Sequence, residues 1–446
     1  GDSPYQSFST YAGNPYFIDL EELVEAGFLT RKEVEACDCG KAARDIDYGK
    51  LYENRFKLLR KAYERANVGE DQEFEAYRRE NAWWLDDYAL FMAVKDRFDG
   101  VAWNEWAEDI RLRWSNAMDY YRRELYYEIE FYSYLQFVFM KQWKKLKNYA
   151  NINGIEIIGD IPIYVAFDSA DAWANPELFQ FDAENLPTAV AGCPPDGFSA
   201  DGQLWGNPLY RWDYHRETGF DWWIRRIAYC SELYDVVRID HFRGFDEYYS
   251  IPYGDTTARN GHWEKGPGIA LFEAAKNRLG ELNIIAEDLG YITDSVKKLV
   301  ADSGFPGMKV LEFAFDSREK SDYLPYTYEK NSVVYTGTHD NETIAGWYAG
   351  LDKSDLKMCT DYMNIDRIPG KEYHWDFIRL AMLSVSDLCV IPIQDYLGLD
   401  NRARINHPST LGTNWRWRLA KGQLSASLLK EIREMTRISG RLQNGE

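Results

Sequence analysis

The chain has 446 residues, of which 45% are hydrophobic and 28% charged, the balance of a protein that buries a sizeable core and neither stays disordered nor forms a fibre. Its 52 basic and 72 acidic residues leave a net charge of −20. No dense basic cluster offsets that charge, which excludes a nucleic-acid or anionic-lipid partner, and no apolar run reaches the roughly 18 residues that a membrane span needs.

In chain order, the first distinct texture is helical. From about residue 48 to 150 apolar residues recur three and four apart, broken by a charged stretch at 69–71, with no strand signal between. This predicts an inserted helical subdomain over residues 48–152, preceded by a loop segment at 1–47. From residue 153 the texture changes to short β-branched runs, each ending in polar or acidic residues and followed by a helix-like segment. The runs fall at 155–161, 236–239, 283–286, 308–315, 332–335 and 388–393. Continuous apolar strands alternating with helices predict a parallel sheet buried on both faces. No glycine-rich dinucleotide fingerprint follows any strand, so an α/β (β/α)8 barrel is favoured over an open doubly wound sheet. Loop insertions are expected at about 166–230 and 250–270, and a helix at 424–442.

Six strands do not close an eight-stranded barrel. Either two are hidden in the aromatic-rich first half or they belong upstream of residue 1.

Six cysteines, at positions 37, 39, 193, 230, 359 and 389, show neither zinc nor disulfide spacing. They read as reduced thiols of a cytoplasmic protein, and no metal or cofactor is expected. The aromatic content is high, with 16 Trp, 32 Tyr and 22 Phe. Rings with a polar tip stack on the apolar faces of sugars as well as on each other, so composition leaves groove and core both open.

Three strand ends concentrate chemistry. VVRIDHFRGF at 236–245 places Arg238, Asp240 and His241 where a strand meets its loop; IIAEDLG at 284–290 places Glu287 and Asp288 at the same level. VVYTGTHDNET at 333–343 places His339, Asp340 and Asn341 past a third strand. In parallel barrels those ends share one rim, which is where the chemistry sits. Alone, each acid is as readily a cap or an ion-pair partner. Together, converging acids with Arg and His beside them and no metal ligands suit glycosidic-bond chemistry. One carboxylate attacks the anomeric carbon and a second, kept protonated, gives its proton to the leaving oxygen. Arg238 alternates onto the face of Asp240 and would keep it ionised, while apolar neighbours would raise Glu287.

These segments resemble the catalytic segments of the α-amylase clan, and the surrounding text resembles one branch, the amylomaltases or 4-α-glucanotransferases. The branch-specific stretches are GDSPYQSFSTYAGNPY at 1–16, IIGDIPIYVAFDSADAW at 157–173, GCPPDGFSADGQLWGNPLY at 192–210, GDTTARNGHWEKGPG at 254–268 and NHPSTLGTNWRWRL at 406–419. The resemblance implies Asp240 as nucleophile, Glu287 as general acid then base, and Asp340 as the acid that holds and distorts the donor sugar. It implies Asp160, Arg238, His241 and His339 as donor-sugar contacts, and Asp196, Gln203, Trp205, Phe313, Asn406 and Pro408 as lining of a glucan groove. Ser3 and Tyr5 match the acceptor-side loop, and residues 253–263 a loop closing over bound chain. No amylase calcium site and no C-terminal β-sandwich are implied. In the family the first two barrel strands lie before the GDSPYQS segment, so the resemblance implies that they are upstream of residue 1, with a gap in the wall beside the 155–161 strand. The expected partners are an α-1,4-glucan donor and a glucose or maltooligosaccharide acceptor, with starch, glycogen or maltodextrin as substrates. A homodimer is left open. Two alternatives share these acids: an α-1,4-glucan hydrolase and a non-catalytic glucan-binding protein.

Overall fold

The computed structural model describes residues 3–195, 199–290, 292–366 and 372–442. Ten strands occur among them: β1 (Ile158–Pro162), β2 (Ala189–Cys193), β3 (Gln203–Pro208), β4 (Val236–Asp240), β5 (Glu247–Pro252), β6 (His262–Lys265), β7 (Ile284–Ala286), β8 (Gly307–Val310), β9 (Ser332–Tyr335) and β10 (Leu388–Val390).

Six of these form the frame of the site. β4 pairs in parallel with β1 on one side and β7 on the other; β9 does so with β8 and β10. The two triplets meet where the Ala286 N–H donates to the Pro306 carbonyl at 3.0 Å. The parallel strands therefore follow one another in chain order, with helices such as Asp221–Leu233, Ile269–Leu279 and Asp294–Ser303 packed between them in sequence. Alternation divides their side chains between two cores. Val237, Ile239, Ile284 and Ala286 join Trp223, Phe242 and Phe272 on the helix side. Val236, Ile285, Met308, Val310, Val333 and Tyr335 fill the other. β4, β7 and β9 are buried almost throughout, as parallel strands covered on both faces should be. Among the described residues β1 pairs only with β4 and β10 only with β9, and Ile158 and Leu388 are exposed on these outer strands.

Two expectations need correction. The apolar run at 308–315 is not one strand: β8 ends at Val310 and Leu311–Phe313 turns as a 3-10 helix that buries Glu312. The run at 388–393 likewise ends at Val390, and Ile393–Tyr396 is helical after Pro392. The loop insertions hold something the sequence did not reveal, a four-stranded antiparallel sheet in the order β3-β2-β5-β6. Its strands, AVAGC, QLWGNP, EYYSIP and HWEK, lack the β-branched runs that flagged the parallel set. Gly192 is required there, since a Cβ would stand 2.1 Å from the Gln203 carbonyl oxygen across the pair.

The helical region is built on Gln72–Arg97 and Tyr126–Ile152 packed side by side. Asp71 caps the first, its side chain accepting from the N–H groups of Glu73 and Phe74. The segment at 1–47 is not wholly loop: it carries the helices Leu20–Glu25 and Arg31–Ala36, the second closed by a capping box between Thr30 and Glu33. Ile18, Leu20, Leu23 and Leu29 share a core with Leu58, Leu59, Phe131 and Leu135. The helix expected at 424–442 spans Ala426–Ile438.

Candidate active site

The acids gather at the C-terminal ends of β1, β4, β7 and β9. Asp160 on β1 is in register with Arg238 on β4, which brings the two side chains to the same face. Arg238 Nη1 donates to both Asp160 carboxylate oxygens at 2.6 Å, and Nη2 lies 3.1 Å from Asp240 Oδ1. The guanidinium is buried and its fork serves two acids at once, a task a lysine point charge could not perform.

The chain turns sharply after Asp240. His241 has φ 54°, the left-handed region that costs a side-chain-bearing residue energy. Its backbone N–H donates to Glu287 Oε2 at 2.7 Å, and Leu289 N donates to Glu287 Oε1 at 2.8 Å. Glu287 is thereby fixed beside Asp240 on the neighbouring strand. Asp288, one residue on, faces elsewhere and accepts from Met308 N at 2.7 Å.

Tyr5 closes the site from the start of the chain. Its hydroxyl donates to Asp160 Oδ2 at 2.6 Å and lies 2.9 Å from His339 Nε2. Ser3 Oγ accepts from Tyr5 N at 3.3 Å, shaping the turn that presents the phenol. His339 Nε2 lies 3.5 Å from Asp340 Oδ2. Asn406 Nδ2 donates to Asp340 Oδ1 at 2.6 Å, and Arg404 Nη2 to the Asp340 carbonyl at 2.7 Å.

The electrostatics follow from crowding acids in a poorly hydrated pocket. Burial, and then the adjacent Glu287, push Asp240 well above its ordinary value, against the pull of Arg238. Arg238 is in contact with Asp240 and favours its charge, as expected, while burial and the neighbouring carboxyl oppose it. Burial also raises Glu287, against the pull of Arg238 and of its two backbone donors. Burial lowers His241 to about 3, so its imidazole is neutral. Burial and Asp160 raise Tyr5, which stays a phenol and a donor.

Other expected residues fall into two groups. Trp205 stands edge-on to the His241 ring at 4.9 Å, and its indole N–H donates to Gln203 Oε1 at 3.0 Å, so both belong to the site wall. Phe313 is exposed and packs on Tyr323 at 5.4 Å, and Pro408 is exposed on the loop beyond Asn406. Asp196 lies outside the described residues.

Sequence reasoning missed three residues. Arg404 carries its signal in its spacing, two positions before Asn406. Asp395 spans the loop that bears His339 and Asp340, accepting from Thr336 Oγ1 at 2.5 Å and Ile344 N at 2.8 Å. Trp415 packs its ring on His339 at 5.3 Å and on Tyr5 at 5.8 Å. Among the described residues no group of three or more His, Cys, Asp or Glu could hold a metal ion, and no helix is long and apolar enough to cross a membrane.

Comparison with known proteins places the chain in a family. The chain is 46% identical to the 4-alpha-glucanotransferase of Clostridium butyricum over 443 residues, covering 99% of this chain and 91% of the relative. It is 45% identical to that of Thermus thermophilus over 451 residues, covering 99% and 89%. The solved structure of an amylomaltase from Streptococcus agalactiae in complex with acarbose superposes with a TM-score of 0.96 at 41% identity, covering 99% of this chain and 90% of that one. A family model described as 4-alpha-glucanotransferase matches residues 1–424, and the chain belongs to that family.

Proposed function

We propose that the protein transfers α-1,4-glucan segments between maltooligosaccharides, or chains of starch or glycogen, by a retaining double displacement. Asp240 attacks the anomeric carbon of the donor sugar as the bond to the leaving oxygen breaks. Glu287 delivers its proton to that oxygen, so the released piece leaves as a neutral alcohol. An acceptor sugar then enters, Glu287 takes the proton from its 4-hydroxyl, and that oxygen displaces Asp240. Two inversions restore the original configuration.

The observation that carries this reading is the pairing of Asp240 and Glu287 on adjacent strand ends with different supports. Asp240 touches a guanidinium at 3.1 Å; Glu287 is buried. Two carboxyls in one such pocket favour holding a single proton between them. The retaining mechanism requires that proton on Glu287; the direct contact of Arg238 with Asp240 supports this placement, against the burial that raises Asp240 and the two backbone N–H groups that favour charge on Glu287. Asp340, held by His339 and Asn406, faces the same pocket and grips the donor sugar, together with Asp160, Arg238, His241 and Tyr5. Trp205, Gln203 and Phe313 extend a stacking surface for further glucose units, and Asn406 and Pro408 border it.

The parallel strands read as six of the eight of a (β/α)8 barrel, the other two not being among the described residues. Their sequential parallel order and the single paired edge of β1 and of β10 support this. The helices between about 48 and 152 form its inserted subdomain. A cytoplasmic setting fits the six free thiols.

The test is product analysis on maltotriose. Transfer gives free glucose with a ladder of longer and shorter oligomers, whereas hydrolysis gives steady shortening alone. Asp240→Asn abolishes both while retaining oligosaccharide binding; normal turnover in that variant would overturn the assignment.

A further inference from the structure

Trp415 holds a backbone conformation that its side chain resists. Its φ is 62°, in the left-handed region where glycine and asparagine are at ease and a bulky ring is an outlier. Strain of this kind persists only where the surroundings over-determine it, and it concentrates at functional sites. Both conditions are met here. The Trp415 N–H donates to the Ile405 carbonyl at 2.7 Å, and its own carbonyl accepts from the Tyr48 hydroxyl. The preceding Asn414 ties the turn, its Oδ1 accepting from His407 N at 2.9 Å and its Nδ2 donating to the Thr410 carbonyl at 2.9 Å. On the far side, Arg416 Nη2 donates to Asp45 at 2.9 Å, and the Arg416 carbonyl accepts from Ile46 N at 2.8 Å.

The strained turn has a definite product. It lays the half-buried indole against His339 at 5.3 Å and Tyr5 at 5.8 Å, and those two rings are themselves 5.7 Å apart. The three rings form a triangle whose polar tips, Tyr5 Oη and His339 Nε2, meet at 2.9 Å and lead on to Asp160 and Asp340. Neither ring has another aromatic partner among the described residues, so the indole is the packing that fixes where those tips stand.

We propose that Trp415 is a positioning residue for glucan transfer, its left-handed backbone retained because only that conformation sets the indole behind His339 and Tyr5 and holds them on the donor sugar. This rests on the reading of His339 and Tyr5 as donor-sugar contacts. The indole acts through them and takes no part in bond making.

The experiment uses the full chain carrying Trp415→Ala, Trp415→Gly, Trp415→Phe and His339→Ala, and Trp415→Ala combined with His339→Ala. Maltotriose kinetics and thermal unfolding are measured on each. Trp415→Ala and Trp415→Gly should lose roughly 10- to 100-fold in kcat with a smaller change in KM, since a misplaced transition-state contact falls on kcat. Trp415→Phe should recover most of that loss. Trp415→Gly should melt above Trp415→Ala, the reverse of the usual order, because alanine keeps the left-handed penalty and glycine does not. In the His339→Ala background Trp415→Ala should add much less than it costs alone.

Wild-type kcat in Trp415→Ala or Trp415→Gly, or full additivity with His339→Ala, would overturn the positioning role. Trp415→Ala melting at or above Trp415→Gly would overturn the stored strain. Failure of the underlying reading shows separately, as normal turnover in Asp240→Asn or in His339→Ala alone.

Discussion

The backbone N–H of His241 donates to Glu287 Oε2 at 2.7 Å, so the residue that follows one acid of the site holds the other. The N–H belongs to the peptide plane that follows Asp240, and the left-handed turn at His241 then carries the chain on from that plane. The relative placement of the two acids is therefore set by main chain, with little freedom left to side-chain rotation.

Glu287→Gln should lower transfer from maltotriose by about 10³-fold or more, since a poor leaving group needs its proton. A glucosyl donor with a fluoride leaving group needs none, so formation of the glycosyl-enzyme from it should fall far less. Rapid-quench measurement of that first step separates the two cases. Equal losses with both donors would mean that Glu287 is not the acid.

Arg238→Lys should reduce kcat by roughly 10- to 100-fold, because an ammonium cannot replace a fork that reaches Asp160 and Asp240 together. Weaker opposition to burial lets Asp240 rise further, so the acid limb of the pH profile should move to higher pH. A pH series of kcat/KM on maltotriose checks this; a limb that stays put or moves down would contradict it.

Asp395 offers a stability test with a definite sign. Burial raises its carboxyl to about 6, above the roughly 3.9 of an unfolded aspartate. The folded protein thus keeps this proton longer. Its contribution is fully present below about pH 3.9 and is lost as pH rises through about 6, an effect of up to about 3 kcal/mol. Asp395→Asn should remove that pH dependence and melt higher than wild type at pH 7, its amide still able to pair with Thr336 and Ile344. Asp395→Ala should instead lose about 1 to 3 kcal/mol in urea unfolding, because the Ile344 N–H is left buried without an acceptor.

Gly192→Ala should cost about 1 to 3 kcal/mol of stability and disturb the β2 and β3 pair, since the added methyl meets a carbonyl oxygen across the ladder. Urea titration reads the loss. Activity in the surviving folded fraction should fall as well, because Gln203 and Trp205 ride on β3.

Much of this was legible in the sequence for identifiable reasons. β4, β7 and β9 announce themselves because strands buried on both faces are largely apolar, and the polar residues at or just past their C-terminal ends then mark the site. The sheet of β3, β2, β5 and β6 gives no such sign: β3 reads QLWGNP and β6 reads HWEK, and tertiary pairing rather than local pattern makes them strands. Asp240, Glu287 and Asp340 are readable as acids at strand ends. Asp395 and Trp415 are not, because their importance lies in a buried bond and a backbone angle that composition does not carry. The opposing pulls on Asp240 are likewise invisible until the distance to Arg238 is set beside the depth of the pocket.

The Tyr5 hydroxyl meets Asp160 across 155 positions of chain and His339 across 334. Loops that long close late, after local helices and neighbouring strands have formed. In refolding, recovery of glucan transfer should therefore trail recovery of helical content, and enzymatic activity becomes a clock for the last docking event rather than for collapse. Tyr5 acts as a keystone set after the walls are up.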